Sequence, residues 1–229
     1  MKKQKFLSNL IIEGVVIVLS ILLAFAIDAW WGDRVERAEE ERVLAQFKSE
    51  LELYDSLLGE ADELTNSVVE STDYLLECVH TNADCDVESV SSAIRKLNYA
   101  YQFAAATATY DLLAGSGNLG LISSPKLRQA MSDLAAFISL VSRFEDDESA
   151  FLNTRLNPFL TDHVDLVAVL SASGSSSYPS SRHEWSFDEL RTERKFSNLL
   201  VERRRHAKLV QNFRSKVGAA VVDAKIVLR

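Results

Sequence analysis

The chain has 229 residues, with 25 lysines and arginines against 33 aspartates and glutamates, for a formal net charge of -8. Apolar residues at 47% and charged residues at 25% are ordinary globular usage and exclude a wholly disordered chain, while the acidic balance argues against nucleic acid as a partner, because phosphate binding calls for a basic surface. With 3 prolines and 8 glycines the chain has few helix breakers, so the composition favours an all-α fold built from long helices.

Lys2, Lys3 and Lys5 precede a run from Leu10 to Ala29 that is apolar except for Glu13, Ser20 and Asp28. Twenty helical residues span about 30 Å, the thickness of a bilayer core. Trp30 and Trp31 follow where an interfacial aromatic belt sits. The run therefore reads as a single transmembrane helix. Residues 1–9 form a short cytoplasmic tail, 10–31 the anchor, and 32–229 an extracytoplasmic helical domain. A cleaved signal peptide shares the basic start, and Ala24-Phe25-Ala26 resembles a cleavage site. Against cleavage, the run is long, contains Glu13 and has no polar region before the cut. Flanking charge is nearly tied, with the lysines on one side and Arg34, Arg37 and Arg42 on the other. The short tail and a cysteine pair further on place the N-terminus in the cytoplasm of a bacterial cell and the bulk of the chain in the periplasm, with the inner membrane between.

Glu13, Ile17, Ser20, Ala24, Asp28 and Trp31 recur every three or four residues and share one face of that helix. Ser20 and Ala24 form a small-xxx-small pair that lets helices approach closely. This face is expected to bind a second copy or another membrane protein. The competing account is a lipid-facing anchor whose two acids reach the interfaces.

The first soluble helix continues from the anchor toward Cys78. Leu44, Phe47, Leu51, Tyr54, Leu58, Ala61, Thr65, Val68, Thr72 and Leu75 alternate spacings of three and four, the seam of a bundle or coiled coil. Cys78 and Cys85 flank a short polar stretch. In an oxidising compartment they are disulfide candidates, worth about 2–3 kcal/mol on a loop-entropy argument. Otherwise they are two unpaired, partly buried thiols.

A second helix is expected over Val87 to Ala104 and a short one over Thr109 to Ala114, ending in an inter-helix turn at Gly115, Gly117 and Gly120. Ser124 and Pro125 supply the N-cap and first position of a further helix, which Asn157-Pro158 kinks or ends. Residues 171–184, rich in Ser and Gly, read as an exposed loop. Ser186 and Glu189 make a capping box for a last helix that runs to the C-terminus. Residues 33–77 carry 14 acids and 4 bases, whereas residues 191–229 carry 11 bases and 3 acids, so complementary helix faces could lie side by side. The expected architecture is an antiparallel bundle of about four long helices, the first continuous with the anchor.

No catalytic or metal-binding constellation emerges. Gly115-Ser116-Gly117-Asn118-Leu119-Gly120 formally matches a dinucleotide fingerprint, but that motif works only between a strand and a helix, and a helix precedes it here. His80, His163, His183 and His206 are scattered, with no zinc spacing. Arg203-Arg204-Arg205 reads as a solvated basic face opposite the acidic helix, the alternative being a site for an anionic partner or lipid headgroup. No cofactor and no enzymatic activity are expected.

The segment Glu13 to Trp31, with Ile21-Leu22-Leu23-Ala24 and Ile27-Asp28-Ala29-Trp30 before a charged helix, resembles an uncharacterised family of bacterial single-pass membrane proteins. Tyr110-Asp111-Leu112-Leu113, Ser116-Gly117-Asn118-Leu119-Gly120-Leu121-Ile122, Leu127-Arg128 and Arg194 to Leu200 extend the likeness over most of the chain. Asp28-Ala29 departs from it, standing where the family commonly has paired asparagines. The resemblance implies no catalytic or binding residue. The expected role is a membrane-anchored interaction or scaffold module. Its partners would be the lipid bilayer, a second copy as homo-oligomer, or another membrane protein. The alternative is a ligand-sensing bundle that acts through a partner membrane protein.

Overall fold

An apolar run that passes into a heptad seam without a proline has no reason to stop being helical, and it does not. In the computed structural model α1 spans Lys2–Thr81, 80 residues or about 120 Å of continuous helix. The structure describes residues 2–81, 84–103, 107–172 and 185–228, with side chains from Gly14 onward. Among the described residues it is all-helical, and one helix, at the N-terminus, is long and apolar enough to cross a membrane. The seam is buried as its spacing requires: Phe47, Leu51, Tyr54, Leu58, Ala61, Val68 and Leu75 are core residues, and Cys78 continues the row. Thr65 and Thr72 sit in the same row because each hydroxyl donates to the carbonyl one turn back, Ala61 and Val68 respectively, which satisfies it inside the helix.

Two more long helices complete the frame, α4 over Pro125–Phe151 and α8 over Arg194–Val227. Their directions follow from cross-helix pairs. Asp55, Asn66 and Asp73 of α1 meet Lys225, Gln211 and Arg204 of α8. Phe144 and Phe151 of α4 stack on Phe213 and His206 of α8. Both α1 and α4 therefore run antiparallel to α8 and parallel to each other. The chain must travel the length of the frame between the end of α1 and the start of α4.

That returning limb differs from the expected long helix. α2 covers only Val87–Lys96, capped by Asp86, whose carboxylate accepts from Ser89 N at 2.8 Å. Beyond a turn at Leu97 and Asn98 the backbone is not helical through Phe103. Leu97, Tyr99, Tyr101 and Phe103 are more buried than Asn98, Ala100 and Gln102 between them. Period-2 alternation with aromatics is an extended-chain signal, and it overrides the helical expectation to Ala104. α3, Ala108–Gly115, then leads to a 3-10 turn at Asn118–Leu121 and the start of α4.

Ser124 caps α4 as its sequence implies, accepting from Leu127 N, and Pro125 takes the first position. Ahead of Pro158 the helix widens into a π turn over Leu152–Leu156 before α5, Asn157–His163. Loosening the register there accommodates a residue with no N–H to donate. α6, Leu166–Ala172, extends two residues into the expected Ser/Gly loop, and residues 173–184, with His183, lie outside the described residues. The capping box at Ser186 and Glu189 does not form. Ser186 makes no side-chain capping bond, and α7 is one turn, Phe187–Leu190. The chain breaks there because Leu190 and Phe196 both enter the core, while Thr192 turns its hydroxyl back onto Glu189 O.

Candidate functional site

Two regions carry the features that bear on function: the apolar start of α1 with the glycine turn farther along that helix, and a polar layer inside the frame.

Along the apolar start of α1, Val15 to Ile27 are exposed, with Phe25 at 68% and Leu23 at 62%. Nothing else among the described residues covers any side of it. Ile17, Ser20, Ala24, Asp28 and Trp31 occupy one stripe, and Ser20 Oγ donates to Val16 O at 2.8 Å, so its hydroxyl is satisfied within the helix. The Glu13 side chain lies outside the described residues. Trp30 and Trp31 form a collar with ring centroids 6.4 Å apart, and the Arg34 guanidinium stands 5.7 Å over Trp30.

The glycine turn packs beside the next stretch of α1. Gly117 adopts φ 73, the left-handed region that favours glycine, and this reverses the chain after α3. Gly115 and Gly120 have no such requirement. The preceding element is helix α3, so the dinucleotide fingerprint has no strand to stand on. Ser123 N donates to Glu40 Oε1 at 2.6 Å, and this bond holds the Glu40 carboxyl below its usual range. Higher up, Glu50 accepts from Thr109 N at 3.1 Å and from Thr109 Oγ at 2.6 Å, serving as a cap for α3 from a neighbouring helix. Part of the acidic excess of α1 therefore receives backbone N–H groups of the returning limb.

At the far end of α1, Cys78 and Cys85 are joined in a disulfide, Cα to Cα 6.1 Å, with Cys78 fully buried. The bridge ties the end of α1 to the start of α2.

Sequence reasoning missed the polar layer. Two large apolar clusters occupy the two ends of the frame, one around Leu51, Leu134 and Val217, the other around Leu75, Phe159 and Phe196. Between them lie Arg203 and Arg214 of α8, each 1% exposed, and Glu145 and Glu148 of α4, 3% and 4% exposed. Arg214 Nη2 meets Glu145 Oε1 at 2.6 Å, its Nε meets the same oxygen at 2.9 Å, and its Nη1 donates to Thr65 Oγ at 2.8 Å. Its guanidinium also donates to Tyr101 O. Arg203 pairs with Glu148, and donates to Leu97 O at 2.7 Å and Tyr99 O at 2.6 Å. Glu145 Oε2 in turn accepts from Phe103 N at 2.8 Å. The carbonyls of residues 97, 99 and 101 and the N–H of 103 thus find side-chain partners in place of a helical ladder. Burial pushes the Glu145 carboxyl up and Arg214 pulls it back; burial likewise lowers Arg203, opposed by Glu148.

This corrects the reading of Arg203-Arg204-Arg205. Arg203 is a core residue, whereas Arg204 is exposed and pairs with Asp73. The acidic and basic helices do meet at Asp73 and Asp55, but the enclosed pairs go to α4. A signal for the layer is present in the sequence. Glu145 and Glu148 continue the buried row Leu127, Met131, Leu134, Ile138, Val141, and Arg203 and Arg214 fall in the row Leu199, Ala207, Val210, Val217. A charge at a seam position is a charge to be buried.

Of the scattered histidines, His163 stacks on Phe159 and His206 on Phe151, and no cluster of metal-ligand side chains occurs among the described residues. Comparison with protein-family profiles, with curated proteins and with solved structures finds no match.

Proposed function

We propose that this chain is a non-enzymatic, membrane-anchored helical interaction or scaffold module. Its anchor would cross a bacterial inner membrane once, N-terminus in the cytoplasm, and present residues 32–229 outside it. The observation that carries this reading is the exposed apolar segment of α1, which passes without a break into the bundle seam. A tether needs no such stiffness. A continuous helix fixes the height and rotation of the folded part relative to whatever the anchor binds. We read the frame as a bundle whose fourth position is filled by the broken limb from Val87 to Ser123. The anchor face at Ile17, Ser20, Ala24 and Asp28 would receive a second copy or another membrane protein, with close approach at the small residues. The family of uncharacterised single-pass proteins that the sequence resembles fits this account.

The test is crosslinking in native membranes through Ile17→Cys. Oxidation should link two anchors, or anchor and partner, and adding Ser20→Leu with Ala24→Leu should abolish the product. Unchanged crosslinking in the leucine variant would sink the assignment of this face. The alternative, a sensor of small anions, has less support: the two buried arginines already engage carboxylates and carbonyls of the chain itself.

A further inference from the structure

The core row of α1 and its anchor face lie on opposite sides of one helix. Phe47, Leu51, Tyr54 and Leu58 turn into the bundle. On the other side the spacing of the anchor face runs on beyond the collar. Trp31, Val35, Ala38, Arg42, Ala45 and Ser49 alternate steps of four and three, the period of a coiled-coil seam. All six are exposed, Trp31 at 61% and Val35 at 45%. The folded domain approaches α1 elsewhere: the glycine turn at Glu40, α3 at Glu50 and α8 at Asp55. Ala45 sits at the rim of a groove beside the end of α8 and is still exposed. Ser49 Oγ donates to Ala45 O at 3.3 Å, as Ser20 does to Val16, so the serines of the stripe carry no unmet donor.

We infer that the occupant of this face is a second copy of the chain, and that the two α1 helices pair in parallel from the anchor up to Ser49, about 27 Å above the collar. The inference rests on the membrane reading above, which also fixes the parallel orientation. Charge selects the occupant. In a parallel pair, a residue flanking the seam meets the one five places further along the other helix, and such pairs set partner choice. Arg34 and Glu39 flank the stripe on its two sides at that separation, and both are exposed. Arg34 of each copy therefore meets Glu39 of the other, giving two ion pairs by symmetry. Within one helix only residues three or four apart are neighbours, so this complementarity operates between copies. Arg42 occupies the seam itself, with Glu41 of the second copy beside it. Asp28 meets its own counterpart at the collar. Polar residues at seam positions cost stability and fix register. From Glu52 to Asp73 the same register holds no apolar side chain, and the helices part there.

The experiment is oxidative crosslinking of the full chain in native membranes, with the native disulfide kept. Ala38→Cys should link two copies severalfold more than Glu36→Cys, which lines the cavity under the glycine turn instead. Ala45→Cys reads the same register if Ala38→Cys misfolds. Adding Arg34→Glu to Ala38→Cys should lower the dimer severalfold, and adding Glu39→Arg as well should restore it. Equal linking at positions 36 and 38 overturns the inference, as does a charge reversal without loss or a loss without restoration. Ile17→Cys separates this inference from the interaction reading. If Ile17→Cys links to any protein and the seam cysteines above the membrane do not, the anchor face stands and the pairing of copies along α1 falls. If neither position gives a product, both fall.

Discussion

Arg214 and Glu145 meet in the middle of the frame, Nη2 2.6 Å from Oε1, with both side chains enclosed. The pair is bonded to more than itself, since Arg214 also holds Thr65 and Tyr101 and Glu145 holds Phe103. Removing one partner leaves a buried charge uncompensated. Arg214→Met should therefore cost about 3–5 kcal/mol, read from urea unfolding of the full chain in detergent. Adding Glu145→Met removes the stranded charge but leaves the Phe103 N–H and Tyr101 carbonyl unpaired, so the double variant should recover part of the loss. A single variant within about 0.5 kcal/mol of the parent would mean that the layer is hydrated in solution.

His206 stacks on Phe151, and its imidazole is held below the ordinary value by burial first and then by Arg205 and Arg203, with Glu148 and Glu202 opposing. The folded protein therefore binds this proton less readily than the unfolded chain. Stability should fall as the pH drops from about 6.5 through the folded value, and should be unaffected by His206 above that range. Melting temperatures at pH 5 and 7.5 check this. The drop should shrink in His206→Gln, and an equal drop in both proteins would remove His206 as its source.

The disulfide predicts a silent thiol assay. Cys78 and Cys85 should resist maleimide in intact cells until reductant is added, which also reports the side of the membrane on which they lie. Their separation is seven residues. Reduction should lower stability by about 2–3 kcal/mol, on the entropy of so short a loop.

The helix caps offer a contrast. Ser124 accepts from Leu127 N and Ser186 makes no such bond. Ser124→Ala should cost about 0.5–2 kcal/mol and Ser186→Ala almost nothing, although both serines look alike in sequence. At the turn, Gly117→Ala should cost about 1 kcal/mol for its positive φ, and Gly115→Ala far less.

Much of the frame can be read from local pattern. The membrane-length apolar start of α1 needs only about twenty apolar residues in a row, the α1 seam only its repeat, and the start of α4 only Ser124-Pro125. Each is decided by neighbours within a turn or two. The limb from Leu97 to Phe103 shows where local pattern fails. Its alternation can be read as extended chain, but a helix former such as Ala100 in the middle leaves the choice open. The choice falls to Arg203, Arg214 and Glu145, which are about 40 to 115 residues away in the chain and supply the partners an extended backbone lacks.

By itself, the sequence determined that this protein is helical, that its first helix can cross a membrane, and which residues of α1 face inward. These follow from the length and period of apolar runs, which act locally. The tertiary structure decided what the charged seam residues do, that α1 and α4 run parallel, and that the glycine turn closes against α1 at Glu40. Those depend on which groups are left without water when the helices close, and a buried arginine or glutamate shows its role only once its partner is beside it.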